Sequence, residues 1–187
     1  MSNKIIDMYS RVGSPQDLLV FMDKYVKYGI ATKSGNTYAE SDEDFTSIWQ
    51  SDEAIVQSGD QVLNSGHGTC WDQVELERKW FSEHNYDYKT IFTWFEIDGP
   101  NDYPTHTFLA YKTADGWNWF ENAFEPGIYK YSNLSDLIKY VESRLLNNAI
   151  ECGVAKESDS SLIKSYEYQK PKLNILIDEY INYVTGK

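Results

Sequence analysis

Few side chains in this sequence can attack a carbonyl group, and their settings differ. There are two cysteines, Cys70 and Cys152, and three histidines, His67, His84 and His106. A thiol attacks as its thiolate, and the amino end of a helix favours that anion through free N–H groups and the helix dipole. Cys70 has this setting. It follows the glycine-containing run Asn64-Ser65-Gly66-His67-Gly68-Thr69, and a helical pattern starts at once. Val74 and Phe81 are seven apart, and Leu76 and Trp80 four apart, so one side of that helix is apolar. The glycines let backbone come close to a substrate. The amide of Cys70 itself is a candidate donor to an oxyanion. Cys152, in Glu151-Cys152-Gly153, has no comparable setting.

A thiolate nucleophile works with an imidazole. His67 lies in the same loop as Cys70, and His84 falls near the end of the following helix, where it reads as a surface residue. His106 sits in the strand-like run Thr105-His106-Thr107-Phe108-Leu109-Ala110-Tyr111. A rigid strand positions a base better than a loop does, so His106 is the stronger candidate. A third group should hold its other nitrogen. In the next strand, alternation puts Trp117, Trp119 and Glu121 on one face and Asn118, Phe120 and Asn122 on the other. Two hairpin registers are open. A two-residue Asp115-Gly116 turn pairs Ala110 with Glu121, leaving His106 roughly 13 Å away at about 3.4 Å per residue. A four-residue loop from Lys112 to Asp115 pairs His106 with Glu121 directly, within side-chain reach. Contact between them therefore requires the longer loop. Asn122 replaces Glu121 only if a bulge rotates the strand. Trp119, on the face of His106, would shield the pair from water.

The elements that must hold these residues are readable at low resolution. Ser14-Pro15 opens a helix whose stripe is Leu18, Leu19, Met22, Tyr25 and Val26, with Gly29 as its end. Residues 31–47 are polar and acidic and read as a solvated loop, or as a flap beside an active site. Strands are expected at 86–98, about 104–112 and about 116–124, the first broken by Gly99-Pro100-Asn101-Asp102 and the last two joined through Thr113-Ala114-Asp115-Gly116. A helix is expected over about 133–148, a further strand over 161–169 and a last helix over about 171–184 from Pro171. Helices early and late around a run of antiparallel strands read as α+β. The 187 residues fit one domain. At 16% aromatic content the chain is no disordered segment, and a net charge of −12 argues against a nucleic-acid binder. No apolar run reaches the ~18–20 residues of a membrane helix. The first residues carry no apolar signal core, and the two cysteines lack metal-ligand spacing, so the expectation is a cytoplasmic protein without metal or other cofactor.

Gly-x-Cys-Trp-Asp at a helix start, then a strand histidine, then Gly-Trp leading to an acid fifteen residues after that histidine, resembles the transglutaminase-like superfamily. The likeness covers about residues 60–126, with the flanking helices packed on that core in one domain. It implies a papain-like fold, with Cys70 as nucleophile, His106 as general base and acid, and Glu121 as the orienting acid. It implies attack on an amide or isopeptide carbonyl of a peptide or protein, through a thioester. A side-chain amide six residues before the cysteine often helps form the oxyanion hole in papain-like enzymes; here that is Asn64, with Gln61 the weaker alternative. Trp71 and Trp119 would wall the cleft. The sequence departs from the pattern in having Glu where Asp is usual and Thr107-Phe108 after the histidine. It carries no calcium-loop pattern, which argues against a calcium-regulated cross-linking enzyme. Two other classes fit the composition: a catalytically silent papain-like module that binds peptide, and an acidic protein whose surface binds a basic partner.

Overall fold

The computed structural model describes residues 3–97 and 103–186; the expected break at Gly99-Pro100-Asn101-Asp102 lies outside them. The chain opens with α1 (Asn3–Tyr9) and α2 (Pro15–Tyr25). Ser14 caps α2 by accepting from the amide of Asp17, and Leu18, Phe21 and Met22 face inward. The helix stops at Tyr25, and Gly29, expected as its end, instead starts a strand. That strand, β1 (Gly29–Thr32), lies between β2 (Thr37–Ala39) and β3 (Ala54–Ile55), with α3 (Phe45–Trp49) in the connection. The acidic stretch is therefore a small sheet and a helix rather than a loop. Its charges sit in the turns, and they mask a short strand buried along its whole length.

Next come α4 (Gly59–Ser65) and α5 (Cys70–Glu83). A five-stranded antiparallel sheet follows: β4 (Tyr88–Phe95), β5 (His106–Thr113), β6 (Gly116–Glu121), β7 (Gly127–Tyr131) and, after α6 (Leu134–Glu151), β8 (Ile163–Tyr168). The strand order is β7-β6-β5-β4-β8. Both faces are covered, which is why these strands read as apolar throughout. Leu76, Trp80 and Phe81 of α5 pack with Leu109, Tyr111 and Phe120. Leu137 and Val141 of α6 pack with Phe108, Ala110 and Trp119 on the other face. The last helix, α7 (Ile177–Thr185), begins later than Pro171; Leu176 precedes it and bridges to Ile55 of β3. The whole is an α+β architecture. Among the described residues no helix is long and apolar enough to cross a membrane.

The β5–β6 register differs from both alternatives. Thr113 pairs with Gly116, Lys112 with Trp117 and Leu109 with Phe120, so the turn is Ala114-Asp115. Gly116 has φ +130°, and a Cβ there would sit 2.3 Å from the Tyr131 carbonyl oxygen, so only glycine fits. Continued one step, this register sets Glu121 level with Phe108, two residues from His106 on the same face. Such diagonal neighbours stand about 7–8 Å apart at the backbone, within reach of long side chains. The longer loop is thus unnecessary for the contact.

Candidate active site

The first turn of α5 is fixed by a buried polar lattice. Asp72 accepts from the amide and hydroxyl of Thr69 through one oxygen and from the amide of Gln57 through the other. Burial pushes the Asp72 carboxyl up to about 6, and those hydrogen bonds hold it back from rising further. Gln73 donates to the Gly68 carbonyl at 2.8 Å and accepts from Asn122 at 2.7 Å. The glycine loop is pinned from outside too: Lys27 donates its amide to Gly66 and accepts from the amide of Gly68. Cys70 is thereby held at the first helical position, where its own N–H has no intrahelical acceptor.

His106 begins β5 and Glu121 ends β6, so both stand at one end of the sheet. Nε2 of His106 donates to Oε2 of Glu121 at 2.6 Å. The same oxygen accepts from the Trp119 indole at 3.1 Å, and Oε1 accepts from the amides of Ala123 and Phe124 at 2.6 and 2.9 Å. Four donors therefore fix this carboxylate. The imidazole is walled by Phe108, Trp119 and Phe124, with ring centroids at 6.0, 6.5 and 5.3 Å. Its Nδ1 is left for Cys70. Burial works against charge on His106, but the Glu121 carboxylate, its hydrogen bond and the neighbouring Cys70 sulfur outweigh it, and the pKa rises to about 10. The ring is then an imidazolium at neutral pH.

Cys70 is only 5% exposed, yet it borders two cavities. One of about 290 Å³ is shared with His106, Ala123 and Phe124. The other, of about 560 Å³, lies toward Trp49, Trp71 and α7. Tyr28 lines both. Burial first, then the nearby Cys70 and Glu40, raise its phenol well above the ordinary value. Its hydroxyl is thus a neutral donor at the cleft. Nothing local in the sequence marks Tyr28; the pairing of Lys27 with the glycine loop brings it there.

The remaining candidates fall elsewhere. Asn64 is exposed in the last turn of α4 and borders neither cavity at Cys70. Gln61 is consumed by structure: its side chain accepts from the Ser58 amide and donates to Asn174. Neither is placed to meet an oxyanion. Trp71 does line the larger cavity. Trp119 is fully buried and touches neither; it holds Glu121 instead. Asn122 is tied to Gln73, so it does not take the place of Glu121. The Nδ1 of His67 meets the Ser65 carbonyl, and that of His84 meets the Trp80 carbonyl. Cys152 is exposed at the end of α6. Among the described residues no group of three or more His, Cys, Asp or Glu is arranged to hold a metal ion. No protein-family model matches the chain, and no curated protein matches it either.

Proposed function

We propose that the chain is a cysteine acyl-transfer enzyme of the transglutaminase-like, papain-like kind, acting on an amide or isopeptide bond of a peptide or protein. One observation carries this reading: a free thiol at a helix start and an imidazole held by a four-donor carboxylate meet at the same cavity. Nothing in packing alone calls for that set. A buried charge is costly unless paired, and here the pair is completed by a nucleophile with access to a cleft.

The chemistry follows from the positions. The Cys70 thiolate, paired with the His106 imidazolium, attacks the carbonyl carbon and forms a C–S bond. The carbonyl oxygen takes the electron pair, beside the Cys70 amide and the Tyr28 hydroxyl. His106 gives its proton to the departing nitrogen, the C–N bond breaks and an amine leaves. The imidazole then removes a proton from water or an incoming amine, which attacks the thioester carbonyl; the C–S bond breaks, the acid or new amide leaves, and the thiolate–imidazolium pair is restored. Glu121 holds the ring and supports its charge throughout. Two free cysteines also suit a reducing, cytoplasmic setting.

Mass analysis after limited iodoacetamide treatment near neutral pH tests the reading. Cys70 should label faster than the exposed Cys152, although it is the more buried thiol. An acyl-donor probe should then label Cys70 in the parent and nothing in Cys70→Ala. Slow labelling of Cys70, with no acyl adduct, would overturn the enzyme and leave a silent peptide-binding cleft.

A further inference from the structure

The larger of the two cavities at Cys70 has a chemical bias. The only charged residues lining the larger are Asp52 and Asp178, and in the smaller the acid Glu40 accompanies His106; neither contains a lysine or arginine among the described residues. Asp52 and Asp178 are exposed, and no ion pair neutralises either among the described residues. Asp178 stands in the first turn of α7, where the helix dipole favours an acid, so its charge alone has a local explanation. The aromatic wall does not. Trp49, Tyr28 and Tyr103 line it with Trp71, which is only 3% exposed and packs its ring on Trp49 and Tyr180 with centroids at 5.5 and 5.2 Å, so the open aromatic surface comes from the other three. Aromatic faces with carboxylates at the rim bind a long-stemmed cation: the stem covers the rings, the charge meets the quadrupole and the acids. At about 560 Å³ the space is of ligand size.

We propose that this cavity is the subsite for a cationic side chain, a lysine or arginine of the substrate peptide, next to the amide that Cys70 attacks. That the occupant belongs to a substrate rests on the acyl-transfer reading; the charge preference of the cavity does not. An acidic side chain in the same place would face Asp52 and Asp178 with no counter-charge.

Three thiol reagents test it, with Cys152 in the same chain as internal reference. They are neutral iodoacetamide, a cationic trimethylammonium-ethyl methanethiosulfonate and an anionic sulfonato-ethyl methanethiosulfonate. The cationic-to-anionic rate ratio at Cys70 should exceed that at Cys152 by about tenfold, as local field focusing in a cleft allows. Asp52→Asn with Asp178→Asn should remove most of that excess, and each single variant part of it. Asp87→Asn with Asp115→Asn removes the same charge at the far end of the sheet, roughly 24 Å along β5 at about 3.4 Å per residue, and should leave the excess in place. An N-acetyl-arginine amide should slow iodoacetamide labelling of Cys70 more than an N-acetyl-glutamate amide does. Equal ratios at the two cysteines, or an excess untouched by the Asp52 and Asp178 changes, would overturn the subsite. The neutral reagent separates the two ideas. Fast labelling without charge discrimination removes the subsite alone. Slow labelling with discrimination removes acyl transfer and keeps a cation-binding cavity.

Discussion

Helix α5 buries two charged regions, and they are built for different ends. Around its middle, Arg78 donates to Glu75 at 3.1 Å and to Thr90 at 2.7 Å, and lies 5.3 Å from the Tyr168 ring centroid. Thr90 passes its own hydroxyl to the Tyr168 carbonyl. Burial raises the Glu75 carboxyl, and Arg78 holds it back. Each member is used up by another. At the amino end the His106–Glu121 pair is equally buried, but one ring nitrogen remains for a sulfur that borders two cavities. Burial and charge are common to both. An unspent reactive atom at a cleft is what separates them.

The largest contrast should come from breaking each region in turn. Cys70→Ala is expected to lower turnover at least a thousandfold, an order typical of losing one member of such a unit, with little change in melting temperature; His106→Ala should lower turnover as far but also lower the melting temperature, because it takes the partner from buried Glu121. Arg78→Ala should do the reverse. It strands Glu75 as an unpaired buried charge, a loss of about 3–5 kcal/mol, while the folded fraction keeps its iodoacetamide rate at Cys70. Calorimetry beside labelling kinetics reads both. If Arg78→Ala slowed labelling as much as His106→Ala does, the two regions would be one system.

Next in size is the loss of charge support. With the His106 pKa raised from 6.5 to about 10, the ring is protonated below that value and loses its proton as pH rises through it. Acyl transfer needs this proton for the leaving amine, so turnover should fall on an alkaline limb near pH 10. Glu121→Gln removes a cause of the rise, and the limb should move down toward 6.5 with about a ten- to hundredfold loss of turnover. An alkaline limb that stays put in this variant would mean that Glu121 does not set the charge of the ring.

The sequence made the chemistry of this end legible but not its geometry. Cys70, His106 and Glu121 stood out by type and setting, because a helix start and two alternating strands are local patterns. The hairpin register did not, since a two-residue turn can fall on Asp115-Gly116 or one residue earlier on Ala114-Asp115, and a four-residue loop gives a third pairing. In the register formed, Gly116 stands where a Cβ would meet the Tyr131 carbonyl, a constraint from the next strand that the hairpin's own residues do not display. Asn64 misled for a related reason. Counting six back from the cysteine assumes a fixed path, whereas Gly59–Ser65 forms a short capped helix that turns Asn64 outward. That helix, with α1 and β7, is short, and short elements owe their existence to partners distant in sequence. Long elements, α5 and α6 above all, carry their apolar stripes within themselves.

The smallest expected effect sharpens the comparison most, because it concerns two buried glutamates near the same imidazole. Glu77 lies two turns beyond Cys70 on the same side of α5, and its Oε2 has no hydrogen-bond partner among the described residues. Burial first, and Glu121 second, push its carboxyl well above the ordinary 4.5, with His106 opposing, whereas the Glu121 carboxylate accepts from four donors. Glu77→Gln keeps the shape of the side chain and removes only a carboxyl whose anion burial disfavours. Stability should change by less than about 1 kcal/mol, Cys70 labelling by less than about threefold, and the alkaline limb should not move. A limb displaced as far as in Glu121→Gln would make Glu77 the carrier of negative charge behind the imidazole, and the division of labour between the two acids would have to be reversed.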